Sequence, residues 1–157
     1  MFARKLVNNM DLSVEKHEVE WYNSLPRKGT IYDLAYAAVS GSDRDRRLRA
    51  VVALGKSGDP RAVRPLMDLT ADSDPAIRSS VICALGNLKS GRSVEVLIGC
   101  LRDRDEQAAI RQDAAAALAT IRSTGAIRGL KEFVVDEGED PAIRSAAKGV
   151  LDGKGCW

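Results

Sequence analysis

Apolar residues recur along this chain at helical spacing. Ile77, Val81, Ala84, Leu85 and Leu88 fall at i, i+4, i+7, i+8 and i+11, one stripe on an α-helix. After a polar break, Val94, Leu97, Ile98 and Leu101 make a second stripe, so the two segments predict a helical hairpin. The plan reappears as Leu54 to Gly58 followed by Val63, Leu66, Met67 and Thr70, and again as Leu118, Ile121 and Gly125 followed by Ile127, Leu130 and Val134. The punctuation is consistent with this. Asp74 is a natural N-cap, Pro75 suits the first helical position because its missing N–H has no partner there, and Asp59-Pro60 repeats the device. Gly91 is read as the stop between the two stripes.

The hairpins form a register. Arg47, Arg78, Arg111 and Arg144 share one column, and Leu54, Leu85, Leu118 and Leu151 share another, seven residues after each arginine. The hexapeptide DPAIRS occurs at both 74–79 and 140–145. One hairpin cannot bury two stripes alone, so a helical period near 30 residues predicts a stack. The expected fold is all-α, a right-handed α-α superhelix of about four helix pairs plus a terminal helix. Its units are 42–71, 72–103, 104–136 and a half repeat at 137–157. Residues 1–41 form an N-terminal capping segment with a degenerate pair, DLSVEKHEVEWYNSL and GTIYDLAYAAVS, turning at Pro26-Arg27-Lys28-Gly29.

Composition narrows the function classes. At 45% apolar and 29% charged the chain is an ordinary globular protein, and aromatics at 4% favour helices over a sheet. A net charge of +2 gives no general affinity for nucleic acid. Cys83, Cys100 and Cys156 are odd in number and lack CxxC spacing, and no apolar run reaches membrane-span or signal-peptide length. A cytoplasmic location is therefore expected.

D-P-x-I-R, the A-L-G that follows it, and GKSGDPRAV resemble HEAT-like repeats of the phycobilisome-lyase type, over about 42–151. The resemblance implies an α-solenoid whose second helices line a concave surface. It also brings enzymes into view. Deoxyhypusine hydroxylase builds a di-iron site from several His-Glu pairs, whereas here His17-Glu18 stands alone, so no metal and no cofactor are expected. HEAT-like DNA glycosylases need aromatics in a basic groove, and Trp21 and Trp157 lie near opposite ends of the chain. No nucleophile elbow, P-loop or HExxH occurs, and the chain is expected not to be an enzyme.

The arginine column Arg47, Arg78, Arg111 and Arg144 is read as a structural ladder. Each guanidinium would meet an Asp or a backbone carbonyl near the adjoining turn, with Asp68, Asp72, Asp103 and Asp136 as candidates. The partner-binding residues are expected on the concave face: Arg61, Arg64, Asp68, Arg92, Glu95, Arg102, Arg128 and Lys131, over a small floor of Val96, Gly99 and Gly129. Pro65 is expected to kink its helix. A mildly basic groove suits an acidic peptide or helix of another protein. The expected function is thus a non-catalytic protein–protein interaction module. A phycobilin-lyase-like accessory subunit and a weak nucleic-acid-binding protein are the alternatives. No membrane partner is expected, and the uncovered last helix is expected to pair with its copy in a homodimer.

Overall fold

Three of the four first helices among the described residues begin at a side-chain cap, and the one that starts at Ala108 has none. Asp43, Asp74 and Asp140 accept hydrogen bonds from the backbone N–H of Asp45, Ala76 and Ala142, and Pro75 and Pro141 open their helices. A computed structural model describes residues 30–153 in this way. The expected helix over 11–25, its turn, the 1–10 segment, His17, Trp21, Cys156 and Trp157 lie outside the described residues.

Among the described residues eight α-helices follow one another: α1 Thr30–Ser40, α2 Arg44–Lys56, α3 Val63–Asp68, α4 Pro75–Leu88, α5 Val94–Arg102, α6 Ala108–Ile121, α7 Thr124–Val135 and α8 Pro141–Leu151. Three-residue 3-10 turns precede α3 and α5, at Pro60–Ala62 and Gly91–Ser93, and another, Leu69–Ala71, extends α3. Packing defines two layers. The first helices α2, α4, α6 and α8 stack on one another in order, and α1, α3, α5 and α7 cover them. The fold is an all-α solenoid. Among the described residues it has three complete helix pairs flanked by α1 and α8.

The apolar stripes meet between the layers. Leu54, Leu85 and Leu118 of the leucine column are fully buried, as are Leu66, Leu97 and Leu130 opposite them. The A-L-G letters set the spacing within the first layer. A Cβ on Gly55 would lie 2.6 Å from the Ala84 Cβ, and one on Gly86 would lie 3.0 Å from that of Ala117. The glycine of one unit is therefore the seat for the alanine of the next.

The helix stops differ from the expected glycines. Lys89 and Arg122, with φ of 50° and 54°, are the left-handed residues that end α4 and α6, in register with Gly58 at φ 66°. Ser90 and Ser123 then cap the second helices, so Gly91 and Gly125 lie inside the next element. The expected kink at Pro65 is also corrected. Its helix opens as a 3-10 turn and becomes α-helical only at Val63, so Pro65 falls in the first α turn, where N–H groups have no intrahelical partner. Gly91–Arg102, which has no proline there, has the same 3-10 opening, whereas Thr124–Val135, also without one, is α-helical from its start.

Candidate functional site

The arginine column runs along the joints between units. Arg47 donates from Nε to the Ala38 carbonyl at 2.8 Å and from Nη2 to Asp72. Arg78 grips Glu106 with two bonds of 2.6 and 2.9 Å and reaches the Asp72 carbonyl at 2.7 Å. Arg111 is buried. It donates to the Leu101 carbonyl and to Glu139, both at 2.7 Å, and its guanidinium lies 5.8 Å from the Phe133 ring centroid. Each of these arginines thus ties its own unit to the loop opening the next. The acids are Asp72, Glu106 and Glu139. Of the other candidates, Asp103 and Asp136 instead accept from the backbone N–H of Asp105 and Gly138 within their own turns. Arg144 takes no such acid among the described residues, and its Nε is buried without a hydrogen-bond partner.

The residues expected on the second-helix face divide into tied and untied cations. Arg61 bonds Asp59, the cap of its own turn, at 2.7 Å, which holds the Asp59 carboxyl below the usual carboxylate range. Arg64 faces Asp68 one turn on at 3.3 Å, and Arg102 reaches from α5 to Glu132 of α7 at 3.8 Å. Arg92, Arg128 and Lys131 are exposed and make no ion pair among the described residues, and Glu95 is exposed beside them. The expected floor is corrected at one position. Gly129 is buried, because a Cβ there would lie 2.5 Å from Ile98 Cδ1, so its smallness serves helix packing.

Val96 and Gly99 do line an open groove of about 420 Å³, between the end of α3 and the loop after α5. Thr70, Asp72, Arg78 and Cys100 complete its wall, with Asp103, Asp105 and Glu106 at the rim. Asp72 and Glu106 are held by ladder arginines, so the charges left at this end are acidic. Burial, reinforced by Glu106 and Asp103, pushes the Cys100 thiol up to about 11. Arg92 and Glu95 stand together at the opening of α5, Arg128 and Lys131 lie along the middle of α7, and Asp103 and Asp105 follow the C-terminal end of α5. Among the described residues, no group of three His, Cys, Asp or Glu is arranged to hold a metal ion.

Two overlapping stretches, residues 32–109 and 72–152, match HEAT repeats. The chain belongs to the HEAT repeat family. The structure of human deoxyhypusine hydroxylase in complex with glycerol is similar to this HEAT repeat chain, with a TM-score of 0.71 and 23% sequence identity. The likeness covers 82% of this chain and 44% of that one, so this chain spans less than half the length of the enzyme. At that identity the likeness shows the fold. No curated protein matches the sequence. The neighbour corrects the expectation that the chain is not an enzyme. The same stack of helices carries an enzyme there, so a HEAT architecture is no ground for excluding catalysis.

Proposed function

We propose that the chain is a protein-interaction module whose second-helix face takes an acidic segment of a partner protein. The observation that supports this reading is the trio Arg92, Arg128 and Lys131, exposed and without ion pairs among the described residues, with Arg92 in the turn that opens α5 and Arg128 and Lys131 on α7, which packs beside α5. Arg92 lies in the opening turn of its helix, where the peptide dipoles disfavour a cation, so fold stability does not account for it. Cys83 and Cys100 are free thiols, which supports a reducing compartment such as the cytoplasm. No described helix is long and apolar enough to cross a membrane. Within the HEAT repeats, the D-P-x-I-R and A-L-G letters support the phycobilisome-lyase type.

The test is a pull-down from native lysate with the parent chain and with the triple variant Arg92→Glu, Arg128→Glu, Lys131→Glu, both checked for unchanged helicity. The proteins held by the parent should be lost from the variant. Capture of the same set by both would contradict the assignment.

A further inference from the structure

The turns that join first helices to second helices all fall on one edge of the stack, and that edge is basic. Lys56 ends α2, Lys89 and Arg122 stand at the left-handed stops of α4 and α6, and Arg92 follows Lys89 in the same turn region. All four are exposed, and none makes an ion pair among the described residues. The opposite edge, made by the loops between units, carries Asp72, Asp103, Asp105, Asp136, Glu137 and Glu139.

Fold stability does not account for the basic edge. The seats of Ala84 on Gly55 and of Ala117 on Gly86 draw the C-terminal parts of α2, α4 and α6 close together, which brings like charges toward one another. A cation does interact favourably with the C-terminal end of a helix, but Lys56 shows that it can do so from the last helical turn with glycine left at the left-handed position, Gly58. In the next two units the left-handed position itself carries Lys89 or Arg122, in a backbone region disfavoured for any residue with a Cβ.

We propose that this edge is a docking strip for an extended acidic peptide running across the units, read by Lys56, Lys89, Arg92 and Arg122. Packed helices repeat at roughly 8–10 Å, and an extended chain advances about 3.3 Å per residue. An acidic residue at every third position therefore meets one unit after another. Long single-stranded nucleic acid fits less well. The far edge is acidic, and the turns at 56–60, 89–93 and 122–124 themselves hold no aromatic residue on which a base could stack. The inference rests on the reading of an acidic partner and carries that partner's path off the second-helix face over the adjoining turns.

The experiment measures anisotropy of a fluorescein-labelled peptide of repeated Glu-Gly-Ser against the full chain, beside a Gln-Gly-Ser control and an oligothymidylate competitor. The edge variant is Lys89→Gly with Arg122→Gly, which relieves the left-handed strain, so its melting temperature should hold or rise. The face variant is Arg128→Gln with Lys131→Gln. Peptide affinity should fall about tenfold in the edge variant. Edge-variant affinity within about twofold of the parent would overturn the strip; if the face variant then loses affinity the face reading stands, and if neither does both readings fall. Equal binding of the Gln-Gly-Ser control, absence of saturable binding by the parent, or stronger competition by oligothymidylate would also overturn it.

Discussion

Gly55 lies against Ala84 so closely that a Cβ on the glycine would come within 2.6 Å of the alanine Cβ and 2.7 Å of its Cα. The two residues belong to successive A-L-G triplets, so this contact sets how far apart consecutive units stand. Gly55→Ala should destabilise the fold by about 1–3 kcal/mol through overpacking. Gly86→Ala, where the approach to Ala117 is 3.0 Å, should cost less. Gly99 has open space around it, and Gly99→Ala should stabilise by about 0.5–1 kcal/mol. Urea unfolding of the three variants checks the order.

Arg111 and Glu139 form the most buried rung of the ladder, with side chains 5% and 6% exposed. Removing one partner strands a charge in the joint between units. Glu139→Ala should cost about 3–5 kcal/mol, whereas Arg111→Met with Glu139→Leu should cost far less, because no unpaired ion is left. A double-mutant cycle by denaturant unfolding reads the difference.

Acid should act on a neighbouring rung. The bonds from Arg78 hold the Glu106 carboxyl below its usual value, so the folded state keeps this proton off more strongly than the unfolded chain does. Its contribution is fully present above about pH 4.5 and is lost as pH falls through the depressed folded value. Glu106→Gln should flatten the dependence of stability on pH in that acid window and leave the slope near neutrality unchanged, as urea midpoints across pH would show.

Most of the architecture was legible because stacking imposes one spacing on every unit. The Asp-Pro caps, the leucine column and the paired stripes each follow from helix geometry repeated along the chain. What escaped were features set by partners distant in sequence. Glycine suits a left-handed residue best, so the sequence points to Gly91 and Gly125 as helix stops, yet Lys89 and Arg122 are the left-handed residues. Helical spacing alone puts Gly129 on an open floor, although Ile98 of the preceding unit fills the space above it. Phe133, fully buried and within reach of Arg111, is missing from the expected stripe, since Ile127, Leu130 and Val134 already completed one. At the ladder, Glu106 and Glu139 adjoin helix starts, whereas Asp103 and Asp136, equally close in sequence, turn inward on their own loops.

The central claim is that the second-helix face receives an acidic partner segment, and amide chemical-shift mapping of the isotope-labelled chain with the Glu-Gly-Ser peptide tests it most directly. The account predicts that the largest shifts cluster on Arg92, Arg128 and Lys131 and continue over the adjoining turns to Lys89 and Arg122. Shifts confined to the first-helix layer around Ser80 and Cys83, or no shifts at saturating peptide, would contradict it.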